Sequence, residues 1–121
     1  MGAKEELKDI MNKVNDVPKA QAVFVTNIAG KDVDWEQTFQ FNLEGEEPFY
    51  LEVSEQKGVI KDGEASDPDI IMTGDPNSII KICNGQGDFT HAISREEITV
   101  EKGKVMDVIR LTRAITAALK A

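Results

Sequence analysis

Gly103–Ala121 reads GKVMDVIRLTRAITAALKA, and its spacing sets a demand that the rest of the chain must meet. Val105, Val108, Ile109, Ile115 and Leu119 recur every three or four residues, the period of one helical face. Leu111 and Ala118 widen that stripe, while Thr112 and Thr116 interrupt it with hydroxyls. The apolar arc spans roughly half the circumference, wider than a helix needs to rest on a core. So broad a face requires cover. Either it packs on a sheet, which periodicity alone favours, or it forms one wall or a lid of a hydrophobic ligand cavity.

The cover lies upstream. Trp35, Phe39, Phe41 and Leu43 share one face of an alternating run, with Gln37 as its one polar member. Glu36, Thr38, Gln40 and Asn42 share the other face, so this strand is expected to be buried on one side and wet on the other. Phe49, Leu51 and Val53 alternate with Tyr50, Glu52 and Ser54 in the same way, and a weaker strand follows around Val59-Ile60 before the turn pair Asp62-Gly63. Ala22–Ile28, rich in β-branched and aromatic residues, reads as a further strand turning at Gly30-Lys31-Asp32. The first half of the chain is thus expected to be a meander of hairpins.

The remaining elements are helices and short strands. Ala3, Leu7, Ile10, Met11 and Val14 make a helical stripe, closed by Asn15, Asp16 and Pro18 because proline disfavours helix in the residue before it. Ile70–Thr73 is a short apolar strand. Asp75-Pro76 opens a helix with an N-cap and a first-turn proline; Ile79, Ile80, Ile82 and Cys83 are its apolar residues and Asn84-Gly85 stops it. Asp88 caps a second short helix carrying Phe89 and Ile93, and Ile98–Val100 forms one more strand.

Composition narrows the function. With 121 residues, 40% hydrophobic and 30% charged, the chain is expected to be one domain, 1–121, able to bury a core without disulfides or metals. A net charge of −8 argues against nucleic acid, which needs clustered cations, and against standing adsorption to anionic lipid. There is no apolar run of membrane-spanning length, so no stable membrane insertion is expected, and the charged, helix-periodic opening is unlike a signal peptide. The single cysteine, Cys83, excludes an internal disulfide and a CxxC pair, which points to the cytoplasm.

Catalytic material is thin. His91 stands outside any motif, and a lone histidine on a short amphipathic helix is most often a surface or cap residue. Cys83 lies on an apolar helix face, where a thiol behaves as a small hydrophobe. Gly85-Gln86-Gly87-Asp88 lacks the Lys-Ser/Thr of a phosphate loop, and the acidic turns at Glu44–Glu47 and Asp67–Asp69 lack calcium-loop spacing. No cofactor or metal is expected. The apolar faces of sheet and helices either fill one another or leave a cavity for a small hydrophobic ligand.

From Phe49 onward the order and spacing resemble the sterol carrier protein (type two) domain family, including its prokaryotic relatives. The likeness is carried by Phe49-Tyr-Leu-Glu-Val53, the turn glycine Gly63, the Asp69–Thr73 strand, Asp75 at a helix start, the short helix within Gly85–Ala92, and Val100-Glu-Lys-Gly103 before the last helix. The first helix and Phe39-Gln-Phe41 match the layout upstream. Ser94–Glu97 and Gly103-Lys104 depart from the family's usual glycine-bearing runs. The resemblance implies an α+β fold in which a five-stranded, mostly antiparallel sheet is covered by helices around a hydrophobic tunnel bordered by the last helix. It implies a non-catalytic lipid-binding or lipid-transfer protein holding a sterol, fatty acid or fatty acyl-CoA, and leaves a homodimer open. On that reading the tunnel wall, taken from the apolar faces above, comprises Phe39, Phe41, Leu51, Val53, Ile71, Ile79, Phe89, Ile109, Leu111 and Ile115. Thr112 and Thr116 are then polar breaks that a ligand or water could use. Two alternatives stand beside it: a small cavity enzyme with Asp69, Asp75 or His91 as base, and a ligand-free interaction module.

Overall fold

The amphipathic stripes settle into one helical layer over one sheet. The computed structural model describes residues 2–121. Helix α1 (Ala3–Val14) buries Ala3, Leu7, Ile10, Met11 and Val14, the full stripe expected of it. The chain then re-enters helix at once. Pro18, whose fixed φ suits the first helical position, starts the single turn α2 (Pro18–Gln21), and Ala22–Phe24 continues as a 3₁₀ turn. The strand expected from Ala22 therefore begins only at Val25. Phe24 is wholly buried and stacks on Trp35 at 5.7 Å, so this apolar run supplies a core anchor before it supplies a strand.

Strands β1 (Val25–Ile28) and β2 (Lys31–Asp34) pair only with each other, as a separate antiparallel hairpin. This corrects the continuous meander. The main sheet comprises β3 (Gln37–Leu43), β4 (Phe49–Ser54), β5 (Lys57–Asp62), β6 (Ile70–Gly74) and β7 (Ile98–Lys102), in the order β5-β4-β3-β6-β7. All neighbours are antiparallel except β3 and β6, which run parallel. Phe39 sits opposite Leu51 on one side and Ile70 on the other; Phe41 sits opposite Phe49 and Met72. The alternation thus gathers Phe39, Phe41, Leu43, Phe49, Leu51, Val53, Ile70 and Met72 on one buried face. The Phe41 and Phe49 rings stack at 5.0 Å.

The opposite face is not uniformly wet. To reach β6 from the edge strand β5, the chain must cross β4 and β3, and it does so on the side away from the core. Gln40, expected on the solvated face, is 2% exposed beneath that crossing. Its Nε2 donates to the carbonyls of Gly63 and Phe49, each at 3.2 Å, and its Oε1 accepts from the Ala65 amide at 2.8 Å. Asp69 ends the crossing by taking the Thr38 amide at 2.8 Å. Polar groups can be buried here because each finds a partner.

Helices α3 (Pro76–Cys83), α4 (Phe89–Ser94) and α5 (Val105–Leu119) complete the layer with α1. Both predicted N-caps form: Asp75 accepts from the Asn77 amide at 2.9 Å and Asp88 from the His91 amide at 2.8 Å. Gly74, at φ +139°, permits the closest approach in the sheet, since a Cβ there would run into the Glu97 carbonyl. Gly58 does the same for α1, where a Cβ would fall 2.6 Å from Met11 Sδ. Asn15, just past α1, clamps that contact: its side chain exchanges two 2.9 Å hydrogen bonds with the Gly58 backbone.

The buried stripe of α5 is rotated from the expected one. Val108, Leu111, Ala114, Ile115 and Ala118 are buried, whereas Val105 is 44% and Met106 70% exposed, and Ile109 and Leu119 are half-buried. The first turn is exposed, Ala114 joins the buried stripe beside the expected Ala118, and α5 packs on α1 and α2.

Candidate functional site

Arg110 fastens α5 to the chain ahead of the hairpin. Its guanidinium lies 5.4 Å from the centre of the Trp35 ring and donates to the Val23 carbonyl at 2.8 Å and the Val25 carbonyl at 3.4 Å. Trp35 in turn stacks on Phe24 and tilts against Phe39 at 5.8 Å. Thr112 ties the helix on its other side, with its hydroxyl 3.4 Å from the Phe89 amide.

Beyond this latch the outer half of α5 is flanked by two open grooves. One, of about 480 Å³, runs between α5 and the α2–3₁₀ segment and is lined by Lys19, Val23, Thr112, Arg113, Thr116, Ala117, Lys120 and Ala121. The other, of about 200 Å³, lies between α5 and the turn after α3, lined by Ile82, Gly85, Gly87, Thr112, Ile115, Thr116, Leu119 and Lys120. Thr112, Thr116 and Lys120, four residues apart, form the ridge that separates them. Helical spacing explains this shared ridge, because residues four apart stack along one line of the surface.

The ten tunnel-wall candidates distribute as follows. Phe39, Phe41, Leu51, Val53, Ile79, Phe89, Leu111 and Ile115 come together in one core cluster, each at 2% exposure or less. Ile71 is half-buried and faces the other side of the sheet, beside Gln40. Ile109 is half-buried on α5. Of the ten, Ile115 also lines the smaller groove. Phe39, Phe41, Leu51, Ile79, Phe89 and Leu111 have no accessible surface, so the space beside these six is filled by protein. Lys19, Val23, Arg113, Ala117 and Lys120 were not among the sequence candidates. The one local sign of them is the pair Arg113 and Lys120, seven apart on the flank of an amphipathic helix in an acidic chain.

The groups considered for acid–base chemistry lie outside both grooves. Asp69 and Asp75 hold backbone amides, and His91 is exposed, its Nδ1 3.1 Å from Asp88 Oδ1. Burial pushes the Cys83 thiol up to about 12, with Glu6 adding to the effect, so it stays protonated and unreactive at neutral pH. No helix among the described residues is long and apolar enough to cross a membrane.

This arrangement, a mostly antiparallel five-stranded sheet with one parallel pair and a C-terminal helix laid over it, coincides with a known family. The profile of the SCP-2 sterol transfer family matches residues 7–114. The chain belongs to that family, and membership supports lipid binding or transfer in general. No curated protein matches the sequence. Among solved structures, the chain is similar to palmitated SCP2L2 from Aedes aegypti, at 17% identity and TM-score 0.66 over 95% of each chain. The ubiquinone synthesis protein UbiJ-SCP2 superposes with TM-score 0.69 at 15% identity, over 95% of this chain and 94% of that one. The apo form of sterol carrier protein 2 from Yarrowia lipolytica gives TM-score 0.62 at 17% identity, over 98% of this chain and 90% of its own. At these identities the likeness is one of fold.

Proposed function

We propose that this domain is a non-catalytic cytoplasmic carrier that takes a single-chain lipid or sterol into the layer between the sheet and α5. The observation that carries the reading is the position of α5. It packs on α1, α2, the 3₁₀ turn and α4 and shares one core cluster with the aromatic face of the sheet, yet it is bordered by an open groove on each side, and Ile115 belongs both to a groove and to the core. A ligand entering from either flank reaches Phe89, Leu111 and Ile79 by parting side chains, with no polar barrier of buried charge to cross. The wall of the resulting tunnel would be Phe39, Phe41, Leu51, Val53, Ile79, Phe89, Ile109, Leu111 and Ile115, while Ile71, on the other face of the sheet, lies outside it.

The outer part of α5 suits such a movement. Its inward residues there include Ala114 and Ala118, which bury little apolar area, while the latch at Arg110 lies nearer the start of the helix. About ten methylenes removed from water contribute roughly 8 kcal/mol, before the cost of loosening α5. That suffices for useful affinity without any specific polar contact. The palmitated state of the mosquito homologue is consistent with an acyl ligand in this fold.

Native mass spectrometry of protein purified from its own host, together with displacement of a fluorescent fatty acid, tests the proposal. A retained lipid, or displacement at micromolar concentration, is expected. Absence of both would remove the carrier reading.

A further inference from the structure

The β1–β2 hairpin leaves one strand edge open. The phase of its ladder follows from the root, where the Trp35 amide donates to the Phe24 carbonyl at 2.8 Å. Hydrogen-bonded pairs alternate along an antiparallel ladder, so Thr26 with Val33 and Ile28 with Lys31 are bonded pairs. The main-chain N–H and C=O groups of Asp32 and Asp34 therefore point away from β1. All four residues of β2 are exposed and the strand pairs only with β1; among the described residues no hydrogen bond from outside the hairpin reaches those outward groups. The outer edge of β1 is by contrast occupied, because Arg110 holds the Val23 and Val25 carbonyls. Asp32 and Asp34 share one face of the hairpin, where Asp32 accepts from the Asn27 side chain at 3.2 Å and Asp34 from that of Gln56 at 3.1 Å. Neutral amides thus orient both carboxylates without compensating their charge, and among the described residues neither is in an ion pair. On the opposite face Ile28 is 60% and Val33 42% exposed.

Charge decides what can pair there. Every antiparallel register that bonds these outward groups to those of a second copy sets aspartate opposite aspartate. Like charges directly opposite destabilise a strand pair, so the edge rejects its own copy, as charged side chains on open edges commonly do. The same two carboxylates favour a strand that sets a cation opposite each. We infer that the outer edge of β2 docks an extended segment of a partner protein in which lysine or arginine alternates with an aliphatic residue, added as a third strand. Main-chain bonds to Asp32 and Asp34 hold the segment, and its cations meet the two carboxylates. Its aliphatic residue, on the other face, lies beside Val33. The edge thus accepts one charge pattern and refuses the opposite one, which gives selectivity as well as attachment. The assignment is separate from the carrier reading, because no residue of β1 or β2 lines either groove beside α5. A docked partner therefore leaves both flanks of that helix open.

Fluorescence anisotropy of the intact protein with a labelled hexapeptide of alternating lysine and valine tests the assignment. Binding that weakens as salt rises is expected, since exposed charges act over about 8 Å at physiological ionic strength. D32K and D34K should each weaken it about five- to tenfold, whereas D9K, the same charge change on α1, should leave it unaltered. A hexapeptide of alternating glutamate and valine should not bind. The lysine–valine peptide methylated on its lysine main-chain nitrogens should bind roughly tenfold more weakly, because it cannot donate to the edge. Amide exchange gives a direct readout: the Asp32 and Asp34 amides should slow when the peptide is bound, and those of α1 should not. No binding of the lysine–valine peptide at millimolar concentration would overturn the inference. Equal binding by the unaltered protein, D32K and D34K would do the same. So would equal affinity for the methylated and unmethylated peptides, which is attraction of charge without strand addition.

Discussion

Replacing Arg110 with alanine should loosen α5 where it is most firmly held, and the expected size follows from the contacts. A hydrogen bond from a charged donor to the Val23 carbonyl, 2.8 Å long, contributes about 1.5–3 kcal/mol. The guanidinium over the Trp35 ring adds about 0.5–1 kcal/mol. The second bond, to Val25 at 3.4 Å, is too long to add much. Arg110 is half-buried, so solvent screening brings the sum toward its lower end, about 2 kcal/mol. In a domain of this size that corresponds to roughly 6–10 °C in Tm. Urea denaturation gives the global value, and amide exchange along α5 shows whether the loss is local. Exchange in Arg110–Leu119 should quicken more than exchange in β3 or β4. The R110K variant keeps the cation but loses the planar fork, and should recover only part of the loss. A change of less than about 0.5 kcal/mol for R110A, the range of an unremarkable surface substitution, with α5 exchange unaltered, would refute the view of Arg110 as a latch.

Two further outcomes follow from buried groups. Gln40→Ala removes the partner of the Ala65 amide and the Gly63 carbonyl under the crossing chain; about 2–3 kcal/mol should be lost, and the Ala65 amide should exchange faster, whereas an unchanged Ala65 rate would show that the crossing does not depend on Gln40. Cys83 binds its proton more tightly in the folded state, about 12 against an ordinary 9.0. Between those values the unfolded chain holds fewer protons than the folded one, so stability falls as pH rises above 9.0 and levels off near 12. Urea midpoints across that range should show the decline, Cys83→Ala should reduce its slope, and an equal slope in both proteins would tell against thiol burial as the cause.

The helices and their ends were the most readable features. Asp75, Asp88, Pro18 and the α1 stripe act through neighbours within four residues, and the structure uses each as its chemistry suggests. Strand β3 was legible for the same reason, since alternation is a property of consecutive residues. The Val25–Ile28 strand was legible as a strand but not as an isolated hairpin, because sheet membership depends on which edge a strand meets. The α5 stripe was read half correctly: Val105 and Leu119 fit the period, but Val105 is exposed and Leu119 half-buried, because cover depends on which elements pack against the helix.

Residue chemistry along the chain therefore accounts for the amphipathic elements, their caps, the one-sided sheet and the absence of a legible catalytic motif. The broad face of Gly103–Ala121 implied a cover and left its nature open. The parallel pairing of β3 with β6, the burial of Gln40 under the crossing chain, and the meeting of Lys19 with Arg113 and Lys120 arise only when the chain closes on itself. Local conformational preferences act over a turn of helix or a pair of strand residues. Register, crossing and groove depend on contacts between residues tens of positions apart, whose partners no local pattern names.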